Sequence, residues 1–368
     1  MNDTDYMRRA LDLAKKGVGH VNPNPMVGAV IVKNGRIIGE GYHKFYGGPH
    51  AEREALASLT ESAEGATLYV TLEPCCHYGK TPPCTEAILE HRLARVVVGA
   101  LDINPKVAGK GVEILKKHGI QVDIGILKEE CLELNRIFYH YIRERKPYVI
   151  MKYAMTMDGR IATRTHQSRW ITGEKARAHV QETRLLCAGI MVGVGTVIHD
   201  NPRLTCRIPG AKNPLRIICD THLRTPEAAT VIQTAHEVPT ILATCETDPA
   251  RQQSYRNHGC QIICTDEWNG HVDLRQLMTE LGAQGINSVL LEGGAQLNWS
   301  ALDQRIVTRV QAYIAPKLFG GQEAVSPISG EGVHSPSEAF LLNHARLTRL
   351  GEDYLIESEV TYPCLRES

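Results

Sequence analysis

The sequence has no surplus of charge of either sign, since 41 acidic residues balance its 41 basic residues and its pI is near 7.2. A dedicated nucleic-acid binder usually carries a basic surplus, so this balance argues against that class of protein. No stretch approaches about 18 consecutive apolar residues, which predicts no membrane-spanning helix. The first residues, "MNDTDYMRRALDLAKKG", contain no apolar run of the kind found in signal peptides. We therefore expect a cytoplasmic protein that has neither nucleic acid nor membrane as a partner.

The composition is that of a globular protein large enough for two domains. Hydrophobic residues make up 43% of the 368 residues and charged residues 22%, so each half can bury a core. At roughly 100–200 residues per domain, this length predicts two domains. The 11 cysteines are an odd number scattered along the chain. In a reducing compartment, a cysteine cluster indicates metal binding or catalysis rather than a disulfide.

Apolar runs and helical spacings alternate along both halves of the chain. Near the N-terminus, Asp3 or Thr4 is predicted to cap a first helix. The dipeptide Asn34-Gly35, between two apolar runs, favours a tight hairpin turn. Further apolar runs such as "TLYVTL", "RVVVG", "GIMVGV" and "NSVLLE" are separated by helical stretches. This alternation predicts an α/β fold with a mixed sheet.

The charged stretch that precedes Pro147 marks the predicted domain boundary. It divides the chain into a first domain of residues 1–145 and a second domain of residues 146–368. The region 222–270 is polar and its secondary structure is hard to assign from the sequence. No internal repeat or low-complexity tract interrupts either half.

The segment "LEPCCHYGKTPPC", residues 72–84, crowds three cysteines, a histidine and three prolines into one loop. By itself this loop fits a structural zinc site, a redox pair or a catalytic metal site. His50, at the start of a predicted helix, together with Cys75 and Cys84 would give three ligands and leave zinc a fourth position for water. Such a site lowers the pKa of the water, and Glu52 is placed to move its proton. An H-x-E followed by P-C and a further cysteine is typical of zinc-dependent deaminases.

One spacing departs from the usual deaminase pattern, which has two residues between its cysteines. Here eight residues separate Cys75 from Cys84, so Cys76 and His77 are possible rival ligands. Cys76 is disfavoured, because adjacent residues rarely both reach one tetrahedral ion. Since Cys84 falls near a predicted helix N-terminus, we expect the helix dipole to favour its thiolate form.

Two glycine-rich junctions in the second half indicate phosphate binding. "GIMVGVGT" ends an apolar strand in glycines, and "NSVLLEGGAQL" has a strand, Glu292 and then Gly293-Gly294 opening a helix. Glycines let main-chain amides approach a phosphate. The first junction is not a full dinucleotide fingerprint, because Ile198 stands where the third glycine belongs. The alternative is that both are merely tight turns.

With these motifs in hand, the chain resembles the family of bifunctional riboflavin-biosynthesis deaminase–reductases. The first half is similar in "NPNPMVGAVIV", "GGPHAEREAL", "PCCHYGKTPPC" and "DINPKVAGKGVEIL". The second half is similar in "MTMDGRIAT", "SRWITG", "VGVGTVIHDNPRLTCR", "LLEGGAQL" and "IAPKLFGG". The resemblance spans nearly the whole chain. It departs at Cys76, where the family more often has serine.

The resemblance implies a cytidine-deaminase-like first domain and a dihydrofolate-reductase-like second domain. It implies two consecutive reactions on small phosphorylated pyrimidines: hydrolytic deamination of a diaminopyrimidinone that carries a ribosylamino 5′-phosphate, and then reduction of its ribosyl group to ribityl. The implied cofactors are Zn²⁺ and NADPH, and the implied assembly is a homodimer.

In the first half, the resemblance assigns the metal to His50, Cys75 and Cys84 and the proton shuttle to Glu52. It also assigns substrate contacts to four residues: Asn24, His43, His77 and Lys80. The ammonium group of Lys80 suits a phosphate. The alternatives are a turn residue at Asn24 and a solvated strand end at His43.

In the second half, the resemblance assigns substrate contacts to five residues: Ser168, Arg184, Leu204, Arg207 and Glu292. It assigns the cofactor to a larger set: Ala154, Trp170, Thr196, Asp200, Thr221, Gly294, Ala295, Gln296, Leu297, Asn298, Trp299 and Ser300. Two arginines suit a 5′-phosphate because guanidinium pairs with it at two points.

Three further expectations concern individual side chains of the second half. From position and chemistry, Lys152 and Asp200 are the candidates for the catalytic acid or its orienting partner. The alternatives to ligand binding are a solvated helix face for Arg184 and an ordinary loop charge for Arg207. Trp170 could equally belong to the core.

Two rival functions remain open from the residues. One is a nucleobase or tRNA deaminase fused to an unrelated reductase, against which the neutral charge and the long cysteine gap argue. The other is a non-catalytic binding module stabilised by zinc, which requires a fourth protein ligand such as Cys76 or His77.

Overall fold

The N-terminal segment forms the predicted helix, but Asn2 caps it rather than Asp3 or Thr4. In this computed structural model, which describes residues 1–79, 81–105 and 107–363, the Asn2 side chain accepts a hydrogen bond from the Asp5 N–H, and Asp5 accepts one from the Asn2 N–H. Asparagine is as good a cap as aspartate. Asp3 therefore lies in the first turn, where its negative charge interacts favourably with the helix dipole.

The chain divides into two units, Met1–Arg145 and Lys146–Ser368. The described helices of the first unit are α1 (Asp3–Ala14), α2 (Ala51–Ala57), α3 (Cys84–Glu90), α4 (Lys110–Lys117), α5 (Lys128–Leu134) and α6 (Arg136–Glu144), with a 3₁₀ turn at Lys15–Gly17. Its described strands are β1 (Gly28–Lys33), β2 (Arg36–Tyr42), β3 (Thr67–Leu72), β4 (Arg95–Ala100) and β5 (Gln121–Ile124).

The first unit is built on a mixed sheet of order β2-β1-β3-β4-β5. Strand β1 is antiparallel to β2 and β3, whereas β3, β4 and β5 are parallel. The β1–β2 turn lies at Asn34-Gly35, where both residues have the positive φ angles that this dipeptide tolerates. One face of the sheet packs on α2, α3 and α4, and the other on α1 and α5. Both α2 and α3 begin at the edge where β3 ends, which places the metal-binding residues.

The described strands of the second unit are β6 (Tyr148–Thr156), β7 (Gly189–Gly193), β8 (Leu215–Cys219), β9 (Thr240–Thr244), β10 (Gln261–Cys264), β11 (Glu267–Trp268), β12 (His271–Val272), β13 (Ser288–Leu291), β14 (Arg309–Ala315), β15 (Leu341–Leu350) and β16 (Asp353–Thr361). Its described helices are α7 (Glu174–Leu186), α8 (Val194–Asp200), α9 (Thr230–Gln233), α10 (Pro249–Asn257), α11 (Leu274–Ala283) and α12 (Ala295–Asp303), with a 3₁₀ turn at Pro336–Glu338.

The main sheet of this unit has the order β10-β9-β8-β7-β13-β6-β14-β16-β15. The first seven strands in this order, β10, β9, β8, β7, β13, β6 and β14, are parallel. The β15–β16 hairpin adds two antiparallel strands at one edge. Helices α11 and α12 cover one face, and α8, α9 and α10 cover the other. The predicted α/β class is confirmed. None of the described helices is both long enough and apolar enough to cross a membrane.

Candidate active sites

A cavity of about 280 Å³ lies in the first unit beside the ends of β3 and β4. Six residues singled out from the sequence line it: Asn24, His43, His50, Glu52, Cys75 and His77. They come from four separate segments of the chain, so the fold alone brings them together. Lys80 lies outside the described residues.

The metal-binding group consists of His50, Cys75 and Cys84, whose ligand atoms all lie within 4.8 Å of one another. His50 precedes the first residue of α2, Cys84 is the first residue of α3, and Cys75 lies in the loop after β3. The His50 Nδ1 is 3.4 Å from each Sγ. One imidazole and two thiols in this spacing fit a zinc ion that keeps a position open toward the cavity. In the described part of the chain, the group includes neither Cys76 nor His77.

The two thiols of this group differ in acidity. A hydrogen bond from Cys84 lowers the pKa of Cys75 to about 4. The same contact raises the pKa of Cys84 well above its usual value. The Cys84 N–H at the start of α3 points at the Cys75 Sγ, 3.4 Å away, so the N-terminus of this helix also favours the Cys75 thiolate. The expectation that the helix dipole favours the Cys84 thiolate stays a prediction for the metal-bound protein.

Glu52 is buried in the first turn of α2 and lines the cavity. Burial raises the pKa of its carboxyl group to about 6, and the negative charge of Cys75 adds to this effect. A carboxyl group that titrates near the working pH both accepts and returns a proton readily. Its position and acidity therefore suit proton transfer next to the metal.

His43 and Asn24 form one polar wall of the cavity. The Nδ1 of His43 is 2.9 Å from the Pro49 carbonyl, which can only accept, so Nδ1 donates and carries the proton. The His43 Nε2 then accepts from the Asn24 amide at 3.2 Å. Burial lowers the pKa of His43, which favours this neutral form. His43 is buried, so it is not the solvated strand end that the sequence left open. Asn24 is the turn residue of the alternative, since its N–H donates to the Val21 carbonyl, and it also lines the cavity.

His77 faces the same cavity from the cysteine loop. Its Nδ1 is buried and has no hydrogen-bond partner among the described residues. A buried nitrogen of this kind is costly unless a ligand or water satisfies it. His77 therefore offers a polar contact to whatever fills the cavity.

Sequence reasoning missed a further wall of the cavity, which includes Asp102, Asn104 and Val107. Burial raises the pKa of Asp102 to about 6, although its Oδ1 accepts a 2.8 Å hydrogen bond from the Asn104 N–H. The available signal was the segment "LDINP" directly after β4. An acidic residue at the carboxyl end of a buried parallel strand is a position where ligand-binding residues gather.

The second unit holds a buried ionic group at the carboxyl end of β13. Glu292 accepts hydrogen bonds from Arg184 Nε at 2.7 Å and Nη2 at 3.0 Å, and Lys152 Nζ lies 3.8 Å away. Burial favours the neutral carboxyl group, but Arg184 and Lys152 outweigh it and hold the pKa of Glu292 at about 2. Arg184 is only 13% exposed, which excludes the solvated helix face. The Arg184 side chain is directed toward Glu292, and its Nη1 donates a hydrogen bond to the Thr205 carbonyl.

The two glycine-rich junctions lie side by side, because β7 and β13 are neighbours in the sheet. A Cβ on Gly294 would meet Thr196 Oγ1 at 3.8 Å and nothing closer, and a Cβ on Gly195 would meet nothing within 4 Å. Gly195 and Gly294 thus leave room for a ligand to approach the main chain at the carboxyl edge of the sheet. This open, glycine-lined edge fits the phosphates of a dinucleotide.

The other predicted ligand-binding residues of the second unit differ in exposure and position. Trp170 is 58% exposed and stacks on Arg177, so it is not a core residue. Leu204 is buried in the core and has a positive φ, which leaves only its main chain for a ligand. Ser168 and Arg207 lie in loops, and Asp200 is the exposed last residue of α8.

The predicted cofactor run of residues 294–300 is only partly directed outward. Ala295, Asn298 and Ser300 are buried, and the Asn298 amide donates to the Pro327 carbonyl. Trp299 packs edge-on against Phe340. Gln296 is exposed and Leu297 is half-buried. Ala154 lies on the same face of β6 as Lys152, and Thr221 is buried just after β8.

Comparison with known proteins covers both units. Residues 1–100 match the cytidine and deoxycytidylate deaminase zinc-binding region, and residues 147–356 match the RibD C-terminal domain. The chain is 52% identical to the riboflavin biosynthesis protein RibD of Actinobacillus pleuropneumoniae over 363 residues, which cover 99% of this chain and 96% of that protein. It is 40% identical to RibD of Escherichia coli, over 87% of this chain and 89% of that one.

Solved structures agree with the sequence relatives. The crystal structure of a diaminohydroxyphosphoribosylaminopyrimidine deaminase/5-amino-6-(5-phosphoribosylamino)uracil reductase from Thermotoga maritima is similar with a TM-score of 0.85 and 38% identity, over 98% of this chain and 99% of that one. RibD of Acinetobacter baumannii has a TM-score of 0.85 and 36% identity over the same shares. Because the match runs through both halves, it argues against a nucleobase or tRNA deaminase fused to an unrelated reductase. It also argues against a non-catalytic binding module stabilised by zinc. The chain therefore belongs to the RibD family of riboflavin biosynthesis and is a bifunctional enzyme with a zinc-dependent deaminase and an NADPH-dependent reductase.

Proposed function

We propose that the two units catalyse consecutive steps on one phosphorylated pyrimidine. Residues 1–145 would deaminate 2,5-diamino-6-(5-phosphoribosylamino)pyrimidin-4(3H)-one hydrolytically, and residues 146–368 would reduce the ribosyl group of 5-amino-6-(5-phosphoribosylamino)uracil to ribityl. The similar Thermotoga maritima protein is a deaminase and reductase of these compounds. The observation that carries the proposal is the metal-binding group of His50, Cys75 and Cys84, of which His50 and Cys75 line one cavity together with Glu52.

In the deaminase, His50, Cys75 and Cys84 would hold the zinc ion, which supplies Lewis acidity and lowers the pKa of water. Glu52 would take the proton that the water loses and pass it to the amino group, which then leaves as ammonia. A pKa near 6 suits both transfers. The substrate contacts proposed for this unit are Asn24, His43, His77 and Lys80. The Asn24 amide, which the neutral His43 holds in place, and the unsatisfied Nδ1 of His77 present polar atoms to a pyrimidine.

In the reductase, NADPH supplies the hydride. Lys152 is the candidate acid for the developing alkoxide, and its ammonium group is held near Glu292 and over the Tyr313 ring. Asp200, exposed at the end of α8, is the second candidate. Glu292 stays ionised beside Arg184 and offers carboxylate oxygens to the hydroxyl groups of the sugar.

The remaining residue assignments in the reductase follow from position. The proposed substrate contacts are Ser168, Arg184, the main chain of Leu204, Arg207 and Glu292. The proposed NADPH contacts are Ala154, Trp170, Thr196, Asp200, Thr221 and the run 294–300. The Arg184 guanidinium already donates to Glu292 through Nε and to the Thr205 carbonyl through Nη1. Arg207 is therefore the better partner for the 5′-phosphate.

A second copy of this chain is the proposed partner, giving a homodimer. The edge strand β15 carries Leu342 and Leu347, which are 48% and 66% exposed. They pair with Val360 and Ile356 on β16, which pack against the core of the unit. An apolar strip on a free strand edge favours association with a like strand.

The proposed location is the cytoplasm. None of the ten cysteines that the structure describes forms a disulfide. Two of these belong to the metal-binding group, which would fail if they were oxidised to a disulfide. A reducing compartment preserves them.

The test is a coupled assay on the purified, zinc-loaded protein. The phosphorylated diaminopyrimidinone should release ammonia, and the deaminated product should then oxidise NADPH in the same cuvette. Absence of ammonia release from zinc-loaded protein would refute the proposed deaminase substrate. Absence of NADPH oxidation with the deaminated compound supplied directly would refute the proposed reductase substrate.

A further inference from the structure

Glu73 is a buried carboxylate to which the proposed deamination assigns no role. It follows β3, two residues before Cys75, and is only 4% exposed. Its partners are main-chain amides. Its Oε2 accepts from the Asp102 N–H at 3.2 Å and from the Gly109 N–H at 2.9 Å, and its Oε1 accepts from the Val112 N–H at 3.2 Å.

All three amides belong to the segment 102–112, which connects β4 to the first turn of α4. One carboxylate therefore ties both ends of this segment to the chain that leads into the metal-binding loop. The contact is tight, because a Cβ on Gly111 would lie 2.2 Å from the Pro74 carbonyl oxygen. Between its tied ends, the segment carries cavity-lining residues, among them Asp102 and Asn104.

A carboxylate at a helix N-terminus often serves stability alone, by satisfying amides that the helix leaves unpaired. That role accounts for the bonds to Val112, in the first turn of α4, and to Gly109, its N-cap residue. It does not account for the bond to the Asp102 N–H, because Asp102 lies at the other end of the loop, just after β4. This bond ties the Asp102 main chain to the start of α4 and to the segment that leads into Cys75, and hence fixes where the Asp102 carboxyl group enters the cavity.

We propose that Glu73 is a positioning residue for deamination. It holds the wall formed by Asp102, Asn104 and Val107 in a fixed position relative to the metal-binding group, so that this wall grips the pyrimidine. This inference rests on the proposed deaminase function. Glu73 also lines the cavity, but both of its carboxylate oxygens are engaged by main-chain amides, so we assign its effect to Asp102 and Asn104.

The test compares Glu73→Gln with Glu113→Gln. Both variants remove one negative charge near the first turn of α4, but Glu113 is exposed. Glutamine keeps the size of Glu73 and turns an NH₂ group toward one of the amides. We expect Glu73→Gln to raise the KM for the diaminopyrimidinone about tenfold, with kcat changed much less and zinc still bound at one ion per chain. Glu113→Gln should leave both constants unchanged.

The double variant Glu73→Gln/Asp102→Asn shows whether Glu73 acts through the wall. If it does, the double variant should have nearly the KM of Asp102→Asn alone, because residues that act in series are not additive. An unchanged KM in Glu73→Gln would overturn the proposal. So would multiplication of the two effects, or a loss confined to zinc content and kcat.

Two controls separate this proposal from the deaminase function on which it rests. Wild-type protein must release ammonia, and without that release the deaminase function itself has failed. NADPH oxidation with the deaminated compound reports on the second unit of the same chain and should not change in any variant. If Glu73→Gln does not fold, Asp102→Asn alone decides: a raised KM supports the proposed wall, and an unchanged KM overturns it.

Discussion

Arg184 on α7 and Glu292 after β13 are joined by two hydrogen bonds, although 108 residues separate them in the chain. Both side chains are almost buried. We predict that Arg184→Met lowers the free energy of unfolding of the second unit by about 3–5 kcal/mol, because it leaves a buried carboxylate with only a distant ammonium partner. Denaturant unfolding followed in that unit would measure the change.

The matched control is Arg349→Met. Arg349 makes an ion pair with Glu352, but their side chains are 64% and 83% exposed. Exposed pairs contribute little, so this variant should cost less than about 1 kcal/mol. Equal costs in the two variants would show that the Arg184–Glu292 pair does not stabilise the unit.

The sequence identified both members of this pair but not their relationship. The resemblance assigns both Arg184 and Glu292 to the substrate, although only Glu292 stands in one of the motifs that carry it. A sequence pattern shows which residues share a helix face or a strand end. It does not show that α7 crosses the sheet where β13 ends, which depends on strand order. The same limit explains why the Asp102 wall was missed while the metal ligands were found.

A second prediction concerns Glu52. We expect Glu52→Gln to reduce ammonia release at least about 100-fold, since an amide cannot move the proton that hydrolysis requires. Zinc should stay bound, because Glu52 is not part of the group His50, Cys75 and Cys84. NADPH oxidation with the deaminated compound should stay at the wild-type rate. Loss of zinc from this variant would mean that Glu52 acts on the metal site and not on the proton.

Cys76 provides a third test, because it stands beside a proposed ligand. We predict that Cys76→Ser keeps one zinc ion per chain and keeps the absorption of two thiolates in the cobalt-substituted protein. Cys75→Ser should lose one of the two thiolate contributions and bind metal more weakly. A reduced thiolate signal in Cys76→Ser would place Cys76 on the metal and revise the ligand set.

The region 222–270 shows where sequence patterns fail for a physical reason. Its helix α10 buries only Gln252 and Tyr255, so it has no apolar stripe to predict it. The neighbouring turns are held by Arg216, which enters the core from β8. Its guanidinium donates to the Val238 carbonyl at 2.6 Å and to the carbonyl and hydroxyl of Thr234. Such long-range polar contacts leave no periodic signal.

This arrangement gives a fourth prediction. Arg216→Met should lower the unfolding free energy of the second unit by on the order of 3 kcal/mol, because buried carbonyls lose their donors. Burial already lowers the pKa of Arg216 to about 10, so the hydrogen bonds offset a real desolvation cost. The control is Arg224→Met, at an exposed position of the same unit. If both variants unfold at the same denaturant concentration as wild type, Arg216 does not hold these turns.

The last prediction concerns the exposed strip on β15. Leu347→Asp should convert the proposed dimer to a monomer in analytical ultracentrifugation, because a carboxylate cannot be buried in an apolar interface without a partner. The matched control is Arg346→Gln, which changes the net charge by the same amount. A β-bulge separates the register at Asn343 from that at Arg346, and Arg346 points to the opposite face from Leu347. If both variants sediment as wild type does, β15 is not the interface. If Leu347→Asp becomes monomeric but keeps ammonia release and NADPH oxidation, each site is complete within one chain.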